Sequence, residues 1–172
     1  MPSGPIHDRI TLWSLPWIVG ITYMVTRNGE VTLLMGGGFF FSGLMFGPDL
    51  DIYSAQYKRW GVLRWIWLPY RKFFKHRSLF SHGFIIGTVI RVIYLFLIVS
   101  VIAIFLVAIA QLIFGFPWNW QKFTLKGIDL LTNQYSAEAI ALWLGLELGA
   151  MSHSLSDWIC STLKKQRKIG KR

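Results

Sequence analysis

The sequence contains one cysteine, Cys160, among 172 residues. A single thiol cannot form a disulfide within the chain, and it excludes metal sites built from several thiolates. Acidic residues are also scarce: eight Asp and Glu accompany 18 Lys and Arg, which gives a net charge of +10. The first residues, Met1–Arg9, are short and polar, so they do not predict a signal peptide.

Polar residues as a whole are few, since hydrophobic residues make up 53% of the chain and the mean hydropathy is +0.45. The length predicts a single membrane-embedded domain over residues 1–163, followed by a basic tail over residues 164–172. Val92–Ala110 contains no charged residue and is long enough to cross a bilayer. A buried core helix is the alternative, but a chain of this length has no large domain to bury it.

Four apolar runs are separated by polar segments. They are Ile10–Thr26, Val31–Phe46, Phe84–Phe114 and Ala137–Cys160. These runs predict an all-α integral membrane bundle of about four transmembrane helices. Gly36–Gly38 lies inside the second run and lacks the lysine and spacing of a phosphate loop, so it predicts close helix packing. Arg91 and Glu147 lie inside apolar runs and are expected to pair with each other.

The basic residues occur in two clusters. Seven of the 18 lie between Lys58 and Arg77, and six lie between Lys164 and Arg172. Because both clusters flank apolar runs, they predict cytoplasmic segments of a multi-pass protein with both termini in the cytoplasm. The same distribution argues against nucleic acid as a partner.

The segment Tyr57–Lys75 mixes aromatic and basic side chains, including Trp60, Trp65 and Trp67. This mixture is typical of a membrane surface, where indole rings lie at the interface and cations contact anionic headgroups. We therefore expect a short interfacial helical segment with membrane lipid as its partner. A solvated loop is the alternative.

Under this topology every histidine and four of the five aspartates lie at the cytoplasmic edge. Hydropathy alone does not require such clustering, so we predict a metal site there. The predicted metal ligands are His7, Asp49, Asp51, His76, His82, His153 and Asp157.

The spacing of these residues supports the prediction. His153 and Asp157 are four apart and share one helical face, as two ligands of one ion would, although a local hydrogen bond is the alternative. His76 and His82 are six apart, so a turn near Ser78 must intervene if both bind.

Asp49 and Asp51 are two residues apart after a proline. In an extended segment both carboxylates would point the same way and could face one cation or bridge two. Termination of the preceding helix is the alternative explanation of this sequence.

The seven predicted ligands are more than a four-coordinate site can use, so they predict two divalent ions. Imidazole and carboxylate ligands favour zinc, with manganese or iron as alternatives. Asp51 or Asp157 would orient a water or take its proton. Arg77 would clamp an anionic substrate group, or else contact lipid phosphate.

These motifs resemble a bacterial family of membrane-bound metal-dependent hydrolases, the LexA-regulated inner-membrane hydrolases, and more closely its uncharacterised metal-binding branch. The resemblance lies in His7, Pro48-Asp49-Leu50-Asp51, His76-Arg77, Ser81-His82 and Ser152-His153 through Asp157. It implies a helical protein of the bacterial inner membrane with a metal site and hydrolase activity. Ile52 stands where a further histidine often follows the second aspartate.

The sequence thus favours a metal-dependent hydrolase at the cytoplasmic membrane surface, acting on a phosphoester or phospholipid. A non-enzymatic metal-binding protein of assembly or sensing is the alternative. A metal transporter fits less well, because transporters place their sites near the bilayer midplane.

Overall fold

The computed structural model describes the backbone of residues 4–169 and the side chains of residues 4–162. Every regular element in this part of the chain is helical, so the all-α prediction is confirmed. The α-helices are α1 (Gly4–Thr26), α2 (Gly29–Leu44), α3 (Ala55–Lys58), α4 (Leu68–Phe73), α5 (Leu79–His82), α6 (Ile86–Phe114), α7 (Trp120–Asp129) and α8 (Ser136–Ile169). Two 3-10 segments, Pro48–Asp51 and Gly61–Trp67, and one π-helical segment, Leu130–Gln134, complete the described elements.

Helices α1 and α2 form a hairpin around a two-residue turn. Arg27 adopts a φ of 52°, which reverses the chain. The side chain of Asn28 then caps α2, because its Oδ1 accepts hydrogen bonds from the backbone N–H groups of Glu30 (2.9 Å) and Val31 (3.2 Å). The cap satisfies two donors that a helix start leaves free.

Helices α2 and α8 pack backbone to backbone through glycines. A Cβ added to Gly38 would lie 2.7 Å from the carbonyl oxygen of Leu142, and one added to Gly145 would lie 2.3 Å from that of Met35. Gly36 instead faces Val19 of α1. The predicted use of the glycine run for close helix packing is therefore confirmed, and this contact fixes α8 beside the hairpin.

Part of the basic aromatic segment forms the core rather than a surface. Trp67 and Tyr70 are fully buried and pack against Phe46 and Leu50, and the ring centroid of Tyr94 in α6 lies 5.4 Å from that of Trp67. The prediction that Trp67 lies at a lipid interface was therefore wrong. Aromatic and basic side chains are interspersed in this segment, so one side of it can turn inward.

Helix α6 is strongly apolar, yet most of its side chains are not buried. It has 29 residues, of which Gly87, Thr88 and Arg91 are buried. Its most apolar 18-residue window has a mean hydropathy of 3.2 and no buried residue, whereas a core helix of a soluble protein would be largely buried. Within the described residues, α6 is the one helix long and apolar enough to cross a membrane, and it indicates membrane association.

The expected pairing of Arg91 with Glu147 is absent from the described side chains. Arg91 donates instead to the carbonyl oxygen of Ser81 (2.8 Å) and to Oγ1 of Thr88 (2.9 Å). Glu147 accepts from the backbone N–H of Ile85 (2.8 Å). Both side chains are satisfied in part by nearby backbone groups, which the spacing of charges along the chain does not reveal.

The last helix continues to Ile169. The basic residues predicted to form the tail at 164–172 have side chains outside the described part of the chain.

Candidate metal centre

Residues from five separate segments meet at one end of the molecule. His7 lies in the first turns of α1, Asp49 in the 3-10 segment after α2, and His76 in the turn before α5. His82 ends α5, and α8 contributes the last two residues. The predicted ligands brought within reach of one another are His7, Asp49, His76, His82, His153 and Asp157.

The first ligand group consists of His7, His153 and Asp157, all of which are buried. One potential ligand atom of each lies within 4.8 Å of the others. The two imidazole rings stack with their centroids 3.8 Å apart, and Nε2 of His7 lies 3.4 Å from Oδ1 of Asp157. The four-residue spacing in α8 thus directs both of its side chains toward α1.

The second ligand group consists of Asp49, His76 and His82, which are half-buried and meet the same 4.8 Å condition. A turn closed by the hydrogen bond from the Ser78 N–H to the Lys75 carbonyl separates the two histidines. The ring centroids lie 4.9 Å apart. The turn near Ser78 that the six-residue spacing requires is therefore present.

The carboxylate of Asp49, which belongs to the second group, also faces the first group. Its Oδ2 is 3.2 Å from Nε2 of His153, and its Oδ1 is 3.6 Å from Nε2 of His82. Burial alone would raise the pKa of Asp49, but the facing imidazoles of His153 and His82 lower it overall. The side chain is therefore an anion that can serve a cation on either side.

Several donor atoms at this end have no hydrogen-bond partner among the described side chains, although they are buried. They are Oδ1 of Asp49, Nε2 of His82, Nε2 of His153 and both carboxylate oxygens of Asp157. Leaving such atoms unpaired costs about 1–3 kcal/mol each. Nitrogen and oxygen donors arranged in this way fit a divalent metal such as zinc.

A serine hydroxyl orients two of the imidazoles, those of His7 and His82, through Nδ1. The Ser156 hydroxyl donates to the His153 carbonyl (2.8 Å), so it can accept from Nδ1 of His7 (2.7 Å). In the same way Ser81 donates to the Lys75 carbonyl (3.2 Å) and accepts from Nδ1 of His82 (3.0 Å). These contacts leave the Nε2 lone pairs available to a metal.

The remaining two histidines have different partners at Nδ1. That of His76 lies 2.9 Å from Oδ1 of Asp51, which also favours a free Nε2. That of His153 lies 3.5 Å from the amide nitrogen of Gln56, which donates to the Gly43 carbonyl (3.0 Å). This last contact is at the limit of a hydrogen bond and does not fix the tautomer.

Asp51 occupies a different position from Asp49. It is buried, its carboxylate contacts Nδ1 of His76, and it lies 3.7 Å from Nδ1 of His82, outside both ligand groups. The expectation of an extended segment with both carboxylates pointing the same way was wrong. Pro48–Asp51 is a 3-10 segment, in which residues two apart point about 120° away from each other.

Burial also affects the first ligand group. It lowers the pKa of His7, and the nearby His153 acts in the same direction. His7 is therefore neutral near pH 7, as a metal ligand must be.

Arg77 lies at the edge of the centre rather than within it. It is exposed, its φ is 62°, and it lines a cavity of about 540 Å³ together with His82 and Asp157. A second cavity of about 210 Å³ is lined by His7, Asp49, His153 and also Asp157.

Sequence reasoning missed two residues that orient imidazoles, Ser81 and Ser156, and a third, Gln56, that contacts the ring of His153. Ser81 directly precedes His82, and Ser156 directly precedes Asp157, so both belong to the motifs quoted above without a role having been assigned to them. Gln56 carries no such signal, because its distance from His153 in sequence is 97 residues.

A model of the family described as "Uncharacterized metal-binding protein (DUF2227)" matches residues 2–167. A curated protein of Aquifex aeolicus (strain VF5), described as "Uncharacterized protein", is 33% identical over 61 residues. This match covers 35% of the present chain and 43% of the relative, so the chain spans less than half of that protein. No solved structure matches the chain significantly.

Proposed function

From the premise that this chain belongs to the family described as "Uncharacterized metal-binding protein (DUF2227)", we propose that it is a metal-dependent hydrolase of phosphoesters, phospholipids included. It acts at the cytoplasmic surface of a bacterial inner membrane, as the resemblance to LexA-regulated inner-membrane hydrolases implies. The observation that carries the proposal is that Asp49, the carboxylate of the second ligand group, also faces His153 of the first.

We assign two ions to these groups. His7, His153 and Asp157 would hold one, and His76 with His82 would hold the other, while Asp49 would contribute one oxygen to each. Zinc suits this mixture of imidazole and carboxylate, with manganese or iron as alternatives.

A centre of this kind supplies Lewis acidity toward a phosphoryl oxygen and lowers the pKa of water. The protein's own groups do the rest. Asp157, whose oxygens have no hydrogen-bond partner among the described residues, is placed to take a proton from water. Arg77 at the cavity edge is placed to bind an anionic group. Asp51 acts by orienting His76 through Nδ1.

The proposal includes a membrane location. The exposed apolar surface of α6 supports it, as do the basic clusters that flank the apolar runs. On this basis we retain the four-crossing arrangement with both termini in the cytoplasm. Lipid would cover α6, and anionic headgroups would contact basic residues of the aromatic segment, such as Arg64 and Lys72. Nucleic acid is not a proposed partner.

A second function, a non-enzymatic metal-binding protein of assembly or sensing, is favoured by one observation. The side chains of the first ligand group are 4–8% exposed, and structural metal sites are closed in this way.

One assay separates the two functions. Purified protein loaded with zinc or manganese should cleave a generic phosphodiester, and His82→Ala and Asp157→Ala should abolish the cleavage. Asp129→Ala in α7 is the control, because that residue is exposed and belongs to neither ligand group. Bound metal without cleavage would exclude the hydrolase and leave the non-enzymatic function.

A further inference from the structure

The larger cavity connects the metal centre to an apolar wall. We name it the apolar cleft; its lining includes His82 of the second ligand group and Asp157 of the first. Asp157 is 6% exposed, and neither of its carboxylate oxygens has a hydrogen-bond partner among the described residues. Through this cleft a ligand can reach the centre.

The wall of the apolar cleft consists of large hydrophobic side chains that are exposed. Phe84, Leu155 and Trp158 have 56%, 49% and 65% of their surface accessible. Phe84 lies two residues before α6, so the wall is continuous with the apolar surface of that helix. An alkyl chain lying there would remove apolar surface from water, which stabilises a complex by about 25 cal/mol per Å².

A cation stands at the rim of the same cleft. Arg77 is held there by a left-handed backbone conformation, with φ at 62°, which costs about 1–2 kcal/mol for a residue with a side chain. Strain of this kind persists where surrounding structure enforces it and is frequent at ligand sites. Its guanidinium suits a phosphate group, to which it can donate two parallel hydrogen bonds.

Together these features define a ligand class. The geometry points to a membrane lipid with an anionic phosphate headgroup, which binds with its phosphate between Arg77 and the metal centre and its alkyl chain against Phe84 and Trp158. This inference rests on the proposed function, because the Asp157 carboxylate repels an anion unless a metal neutralises it. The lipid is thereby the substrate class of that function.

The test uses zinc-loaded, detergent-purified protein and two soluble probes, hexyl phosphate and inorganic phosphate, with binding measured by calorimetry. Hexyl phosphate should bind at least about tenfold tighter, since each buried methylene adds up to about fourfold. Arg77→Ala should weaken both probes about tenfold. Phe84→Ala should weaken hexyl phosphate and leave inorganic phosphate unchanged.

Matched controls exist in the chain. Arg27 is also an exposed arginine at positive φ, 52°, at the turn between α1 and α2, so Arg27→Ala should bind both probes like the wild type. Phe80 is 56% exposed, like Phe84, but does not line the cleft, so Phe80→Ala should also be neutral.

The zinc content of every sample separates the two levels of the proposal. If the protein contains zinc but binds hexyl phosphate and inorganic phosphate with equal affinity, the lipid assignment is overturned and the metal-dependent hydrolase is left. The lipid assignment is also overturned if the protein contains zinc but Arg77→Ala and Phe84→Ala bind the probes as their controls do. A wild type without zinc overturns the proposed function and this inference with it.

Discussion

The metal centre and helix α6 distribute polarity in opposite ways. In the centre, carboxylates and imidazoles such as Asp157 and His153 are buried, and several of their atoms have no hydrogen-bond partner among the described residues. In α6, large apolar side chains such as Leu97 and Phe105 are 56% and 66% exposed. Each arrangement is unfavourable in water by itself.

This difference means that the metal centre and helix α6 depend on different surroundings. Cations would stabilise the centre, and lipid would stabilise α6. The two regions are also joined physically, because Arg91, the last buried residue of α6, donates to the carbonyl of Ser81, which precedes His82. The four predictions that follow change α6, the helix contact beside the centre, the centre itself and an ion pair near it.

The largest effect is expected from a charge in the middle of α6. Leu97→Asp should prevent stable membrane insertion, because an aspartate at a helix centre costs about 2.5–3.5 kcal/mol. The fraction of protein that resists extraction by alkaline carbonate measures this, with Leu97→Ala as the control. If Leu97→Asp is retained in the membrane as well as the control, α6 is not the lipid-covered helix that the comparison assumes.

The next effect concerns the contact of α2 with α8, which positions His153 and Asp157. Gly145→Ala places a Cβ 2.3 Å from the Met35 carbonyl oxygen, so the helices must separate. We expect a loss of about 1–3 kcal/mol in the free energy of unfolding and a loss of bound metal. Denaturant unfolding in detergent and metal analysis measure both.

The matched control for that substitution is Gly20→Ala in α1, since nothing lies within 4 Å of the added Cβ. It should raise stability by up to about 1 kcal/mol through helix propensity. If both glycine variants behave alike, the close packing does not position the centre.

Asp51→Asn should weaken metal binding about 10–100-fold without unfolding the protein, because orienting partners of ligating histidines have effects of this size. The asparagine keeps the shape of the side chain but cannot stabilise a positively polarised His76 in the same way. Competition with a chelator of known affinity measures the change. A metal affinity equal to that of the wild type would mean that Asp51 does not orient a metal ligand.

The smallest effect is expected at the exposed ion pair of Asp8 and Arg59, in which Nη1 of the arginine donates to Oδ1 of the aspartate (2.9 Å). Asp8→Asn should change the free energy of unfolding by less than about 1 kcal/mol, because exposed ion pairs are solvated. Thermal unfolding is the measurement. A loss as large as that of Gly145→Ala would mean that this pair, and not burial, holds the centre together.

Much of the helical pattern could be predicted from the sequence, because long apolar runs and polar turns such as Arg27–Asn28 have strong local signals. The all-α class was predicted correctly. The exposure of individual residues was not, as Trp67 illustrates, because its burial depends on Phe46 and Tyr94 from distant segments.

For the candidate site, the sequence predicts that every histidine lies at a helix end on the same side. It does not reveal which oxygen faces which nitrogen. The roles of Asp49 and Asp51 diverge because a short 3-10 segment rotates one carboxylate away from the other. Gln56 and Arg91 depend on contacts across the fold, which no spacing along the chain encodes.

The central claim is that Asp49 joins two ligand groups, and the number of metal ions per chain tests it most directly. Metal analysis of purified protein should give about two zinc ions for the wild type. His153→Ala and His82→Ala should each retain about one, and Asp49→Ala should retain fewer than either. A wild type that binds no zinc, or a content that none of these substitutions changes, would contradict the account.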